Sequence, residues 1–228
     1  MSGSRYGALR PRLPHRQRRA AGLAWAAARR GDSNLILHGL SRLVVDVERF
    51  DDGREEMNAV GMGALYTRDS QGRMLRELPA ADAAVLMRYH YAYSSAVEGV
   101  VTASVHGHGR ALLLDVHAYP RHPPPSELHP EQRRPELCIG TAGVNTSPEL
   151  LDAVRQEFAW LERGIDEPLS GSYVPQAYLG DRRVQSVMLE IRRDVYCDEA
   201  TLELDRPVFD RLVASAAAVA RGCHEGDE

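Results

Sequence analysis

The segment Ala111-Leu-Leu-Leu-Asp-Val-His117 constrains the fold of this chain more than any other. Its unbroken apolar run, Ala111 to Leu114, predicts a strand buried on both faces. The run ends in Asp115 and His117, two residues apart and therefore on one face of a continuing strand. A carboxylate and an imidazole at a buried strand end cost desolvation energy unless something pairs with them, and a metal ion is one such partner. In open α/β sheets ligands collect at the carboxyl ends of strands. Two other segments repeat the pattern, Arg42-Leu-Val-Val-Asp-Val-Glu-Arg49 and Ser186-Val-Met-Leu-Glu-Ile-Arg192. Three apolar strands that each deliver charge predict one polar site at a sheet edge.

At 228 residues the chain suits a single α/β domain with a sizeable core. All 28 basic residues are arginine, and eight of them precede Asp32, the first acid. With a net charge of -4, the remainder carries -4 minus 8, or -12, so bulk electrostatics do not favour nucleic acid. The odd set of Cys138, Cys197 and Cys223 has no C-x-x-C spacing and predicts no disulfide framework, which fits a reducing cytoplasm. No apolar run reaches the roughly 20 residues of a membrane span, and no signal-peptide core opens the chain.

Residues 1–20, rich in proline, glycine and arginine, predict a flexible basic arm ahead of a single domain over 21–228. Ala20 to Arg30 is alanine-rich and predicts a helix. Asn34 to Val47 predicts a strand or two around a turn at Gly39, and 51–76 a long polar excursion. Val85, Leu86, Tyr89, Tyr93, Val97 and Val101 recur at helical spacing, so Ala80 to Val105 predicts a helix. Tyr119 to Pro135 predicts an irregular loop, and Leu137 to Gly140 a short strand. Ser147 and Pro148 form a helix start, with the helix expected to reach about Arg163. Gly171 to Tyr178 predicts a loop or hairpin arm, Val184 to Arg192 a central strand, and Arg206 to Arg221 a closing amphipathic helix.

An ordered set of short motifs carries a family resemblance. Ser41-Arg-Leu-Val-Val-Asp-Val-Glu-Arg-Phe50, Glu56-Met-Asn-Ala-Val-Gly-Met-Gly63 and Leu65-Tyr-Thr-Arg68 are similar to segments of the N-formylglutamate amidohydrolase family. So are Leu114-Asp-Val-His-Ala-Tyr-Pro120, Arg134-Pro-Glu-Leu-Cys-Ile-Gly-Thr141, Ser147-Pro-Glu-Leu150, Gly171-Ser-Tyr-Val-Pro175 and Arg183 to Arg192. The matches run in order from about residue 35 to about residue 199. That family resembles the zinc carboxypeptidases in architecture. The resemblance implies a three-layer α/β fold whose mixed, mostly parallel central sheet is flanked by helices. It also implies zinc-assisted hydrolysis of N-formyl-L-glutamate, or a related N-acyl amino acid, to formate and the amino acid, as in histidine degradation.

The resemblance assigns His117 as a metal ligand, with Asp115 and Asp46 behind the first shell of donors. Neutral imidazole suits zinc. Without the resemblance, His117 reads more readily as a buried histidine bonded to a backbone carbonyl. Glu190, with apolar neighbours on both sides, has the raised pKa expected of a buried carboxylate and would act as the general base. Its other reading is an ion pair with Arg192 or Arg193. Arg49 and Arg42 would bind the substrate carboxylate through planar guanidinium donors; Arg49 could equally pair with Asp46 or Glu48. The related families have an asparagine where this chain has Glu48, a change that could neutralise Arg49 or shift the substrate preference. Tyr173 and Tyr178 lie in a segment resembling a mobile tyrosine-bearing loop over the site, or are ordinary packing residues.

A catalytic zinc takes about three protein ligands. The family begins with a histidine-glycine strand end that supplies some of them, whereas here His15 is followed by arginines. The basic start reads as a truncated or altered first unit, which would leave the sheet without its first strand. His38, His106, His108, His122 and His129 are weaker alternative ligands. Two other functions fit the same residues: an inactive relative that binds a small acid or a protein, and an anionic-surface binder using the arginine arm.

Overall fold

The computed structural model describes residues 17–222, with side chains from Ala20 onward. The predicted arm lies almost wholly outside the described residues, as do His15 and Cys223. Four helices, α1 (Gln17–Gly31), α2 (Ala80–His108), α3 (Pro148–Glu157) and α4 (Arg206–Gly222), surround four strands. The strands are β1 (Ala111–Tyr119), β2 (Leu137–Thr141), β3 (Arg163–Ile165) and β4 (Val184–Arg192). They form one sheet in the order β1-β4-β2-β3, with β1/β4 and β2/β3 parallel and β2/β4 antiparallel. This is the expected mixed, mostly parallel α/β sheet. None of the described helices is long and apolar enough to cross a membrane.

Strand alternation divides the sheet into two faces. Val187, Leu189 and Ile191 of β4 join Leu112, Leu114, Val116 and Ala118 of β1 and Leu137 and Ile139 of β2 in one apolar layer. That layer is covered by α1, α3 and α4. Leu23 and Ala27 of α1 and Phe209, Leu212, Val213, Ala216 and Val219 of α4 fill it. Each fully buried large aliphatic side chain contributes about 1.5–3 kcal/mol. On the opposite face Val97, Val101 and Val105 of α2 pack on Ala111, Leu113 and Val184, but only toward the amino ends of β1 and β4. Beyond them Asp115, His117 and Glu190 share this second face by parity. The carboxyl ends of the two strands are left to polar groups.

Local chemistry sets the helix ends. Ser147 Oγ accepts from Leu150 N at 3.2 Å and Pro148 starts α3. Asp205 Oδ1 accepts from Val208 N at 3.2 Å at the start of α4. Gly109, at φ +74°, ends α2 in the left-handed conformation, and its N–H donates to the Val105 carbonyl.

Two expectations change. Residues 34–50 form no strand; the segment runs as turns, because its polar backbone finds partners elsewhere. Val44 N and Val45 N donate to Ser41 O, Asp46 N donates to Ala64 O, and Val44 O accepts from Arg76 Nη2 at 2.7 Å. Helix α3 stops at Glu157 instead of reaching Arg163. The chain turns at the fully buried Phe158 so that Arg163–Ile165 can pair with β2 as β3. Sheet pairing there overrides the helical spacing of the sequence, and three residues are too few to show an alternating pattern.

Candidate functional site

Parallel pairing of β1 with β4 puts His117 directly opposite Glu190. Antiparallel pairing of β2 with β4 puts Cys138 on the other side of Glu190. The 41–50 turn brings Glu48 against His117 of β1. His117 Nε2 lies 2.6 Å from Asp115 Oδ1 and 3.2 Å from Glu48 Oε2. One ligand atom from each of Glu48, Asp115 and His117 falls within 4.8 Å of the others, the sole such group of three or more among the described residues. An imidazole nitrogen with two carboxylate oxygens is a donor set that a divalent ion such as zinc accepts. His106, His108, His122 and His129 join no such group among the described residues. His38 stacks edge-on against Tyr93 instead.

The electrostatics follow from crowding three acids around one imidazole. Burial pulls the His117 imidazolium down, but Asp115 and Glu48 outweigh it and hold the group well above its ordinary value. The Glu48 side chain keeps 28% of its surface open to solvent, yet desolvation among its neighbours pushes its carboxyl up to about 7; His117 opposes this, and Asp115 and Asp46 add to it. Glu190, 8% exposed, is raised by burial, and His117 and Arg42 offset only part of the shift. Neither neighbouring arginine pairs with Glu190. Arg192 bonds Asp194 at 2.7 Å and Arg193 bonds Glu199 at 3.0 Å. Among the described residues the Glu190 carboxyl has no hydrogen-bond partner, so the ion-pair reading of this residue is not realised.

A second tier sits behind the turn. Asp46, 4% exposed, accepts from Arg42 Nε at 3.1 Å and from the Tyr66 hydroxyl at 3.1 Å, and lies 3.7 Å from Arg49 Nε. Burial would raise its pKa, but Arg42 and Arg49 together hold it below the usual carboxylate range. Arg42 in turn is raised by Asp46. Arg49 also reaches Glu55 at 3.4 Å, while Glu55 caps the following turn by accepting from Phe50 N and Met57 N. Arg49 therefore pairs with Asp46 and Glu55, and not with its neighbour Glu48. These contacts are long, and the guanidinium is 31% exposed.

Tyr173 and Tyr178 pack beside α2 with Tyr93 and Val97. The Tyr178 hydroxyl donates to Thr102 Oγ1 at 2.8 Å. The Asn145 amide, buried at 1% exposure, donates to the carbonyls of Tyr178, Asp181 and Val184, and Ser186 Oγ donates to Tyr173 O at 2.7 Å. The 171–183 segment is thus tied to β4 and α2. Burial raises the Tyr173 phenol, with Glu48 and Asp115 among the lesser contributors. Glu48, Glu55 and Tyr66 are the site residues that sequence reasoning did not assign. Glu48 stood out only as a departure from the expected asparagine, and Tyr66 only as part of a quoted motif.

A recess of about 500 Å³ opens elsewhere, lined by Arg121, Asp194, Asp198, Glu199 and Asp205 among others. Its acids are already engaged: Asp194 and Glu199 by arginines, Asp198 and Asp205 by backbone N–H groups. The chemistry therefore concentrates at His117.

The fold is an α/β protein with a polar cluster at the carboxyl ends of a mixed sheet, where a buried acid stands beside an imidazole and two carboxylates. The sequence matches the N-formylglutamate amidohydrolase family over residues 10–197, and the chain belongs to that family. Among solved structures it is similar to an N-formylglutamate amidohydrolase from Ralstonia eutropha JMP134, with TM-score 0.73 and 21% identity over 93% of this chain and 85% of that one. A gene product of Agrobacterium tumefaciens is similar at TM-score 0.65 and 15% identity, over 91% of this chain and 78% of that one. No curated protein matches the sequence.

Proposed function

We propose that the protein is a metal-dependent hydrolase of N-formyl-L-glutamate, or of a closely related N-acyl amino acid, acting in histidine degradation. The observation that carries this reading is the buried, unpaired carboxyl of Glu190 standing opposite His117. A carboxyl with a raised pKa and no arginine bonded to it is suited to take a proton and give it up again. The family match supports the amide substrate.

Zinc would be held at His117, with Asp115 beside it, and when bound it polarises the carbonyl and acidifies water. Glu190 accepts a proton from the attacking water as oxygen bonds to the formyl carbon. It then delivers that proton to the amide nitrogen as the C–N bond breaks, releasing formate and the free amine. Arg49 exchanges its long contacts to Asp46 and Glu55 for the substrate carboxylate, while Arg42 keeps Asp46 fixed. Tyr173 and Tyr178 bound the substrate on the α2 side.

The test is formate release from N-formylglutamate with added zinc, comparing the chain with Glu190→Gln. Loss of turnover in the variant is expected. Equal rates for the two proteins would remove Glu190 from the mechanism.

A further inference from the structure

The 41–50 turn delivers one carboxylate that its own arginines leave alone. Arg42 bonds Asp46 at 2.9 Å, and Arg49 turns to Asp46 and Glu55. The carboxylate of Glu48 is left facing the His117 imidazole at 3.2 Å, the same ring nitrogen that Asp115 meets at 2.6 Å. Two carboxylates converging on one imidazole nitrogen repel each other unless a cation lies between them, a place that the ring proton takes in the metal-free chain and that a divalent ion takes over when it displaces that proton. With neutral imidazole the trio carries two negative charges, the complement of a divalent ion. The adjacent strand supplies an independent sign: Glu190, more than nine-tenths buried and in register with His117, makes no ion pair and no side-chain hydrogen bond among the described residues.

We propose that Glu48 is a metal ligand, completing with His117 and Asp115 a three-residue site for a divalent cation of the zinc class. Two elements build it. The β1 strand fixes Asp115 and His117 two residues apart on one face, and the 41–50 turn closes on them with Glu48. The turn is held for this by Asp46, whose bonds to Arg42 and Tyr66 pin its base while Val45 and Val47 are buried on either side. The ion then has ligands from opposite sides of the recess, with Glu190 beside it and outside the ligand set. The assignment deepens the catalytic reading above but is read out separately, through binding.

Metal-stripped protein is titrated with zinc in competition with a chromophoric chelator, and the cobalt-substituted form is examined by visible absorption. The wild-type chain should bind one ion and gain thermal stability from it. Glu48→Gln should weaken zinc by at least ~100-fold, lose the metal-induced rise in Tm, and change the cobalt band. If the Gln variant does not fold, Glu48→Asp keeps the charge and shortens its reach. A changed cobalt band in that variant supports the proposal. Unchanged zinc affinity in Glu48→Gln, an unchanged cobalt band in Glu48→Asp, or a wild-type chain that takes up no zinc overturns it. Normal zinc binding without formate release would overturn the catalytic reading and leave this one standing. Normal release from a Glu48→Gln protein that binds zinc as tightly as wild type would do the reverse.

Discussion

His117 and Glu190 are register partners across the parallel β1/β4 pair, with both side chains on the face that α2 leaves uncovered at its far end. Pairing across a sheet needs no reach from flexible side chains, so the positions of the Glu190 carboxyl and the imidazole are set by backbone hydrogen bonds. Glu190→Gln keeps this geometry and removes only the titrating oxygen. Steady-state kinetics should show kcat lower by about 10²–10⁴-fold with KM little changed, and thermal melts should show a fold at least as stable as wild type at neutral pH.

Arg49 offers an exposed guanidinium held by contacts of 3.4 and 3.7 Å, which a substrate carboxylate can replace. Arg49→Ala should raise KM for N-formylglutamate about tenfold or more, the loss of one charge-assisted pair. An N-formyl amino acid amide, which lacks the carboxylate, should be much less affected. Equal losses for both substrates would mean that Arg49 only shapes the loop.

Asp46 has a structural part to play beneath the site. Its carboxylate holds Arg42, Arg49 and Tyr66 at once, so Asp46→Ala strands three donors. Arg42 is partly exposed and can recover water, which limits the damage to about 2 kcal/mol. Urea unfolding should register this as a lower midpoint with an unchanged slope.

The acid cluster makes the metal-free protein sensitive to pH. The folded-state pKa values of Glu48, Glu190 and His117 are all raised. Above about pH 5 the folded chain therefore holds protons that the unfolded chain has released, and stability falls as pH rises. Asp46 is depressed, so its contribution is lost only as pH drops below the ordinary aspartate range. Melting of the metal-free protein should peak near pH 5 and decline toward pH 8. Glu48 and His117 titrate as a pair, and Glu48→Gln should flatten the decline.

The strands of this site are plain in the sequence because their chemistry is local. Apolar runs ending in charge mark β1 and β4, and parity places Asp115 and His117 on one face of β1, while Glu190 joins them only through the register of the β1/β4 pair. The Ser147-Pro148 start and the alanine-rich helices are equally visible. The 41–50 turn was not, because its apolar residues alternate like a strand while its backbone is satisfied by Arg76, Ala64 and Ser41. Those partners lie up to 32 residues away. Partner choice among the arginines was also hidden: spacing allows Arg49 to meet Asp46 or Glu48, and only the fold of the turn sends it to Glu55. The convergence of Glu48 on His117 depends on two segments some seventy residues apart, which no local pattern reports.

Gly140 has a role out of proportion to its size. A methyl group built on it would overlap the Gly171 carbonyl and crowd Met188. The bare backbone of β2 thus lets the tyrosine-bearing segment lie flush against the sheet. An alanine at this position would prise that segment outward, shifting Tyr173 and Tyr178, the proposed substrate-side aromatics, without altering a polar atom of the Glu48–His117 cluster. Ligand preference in this protein can therefore drift through a change in clearance alone.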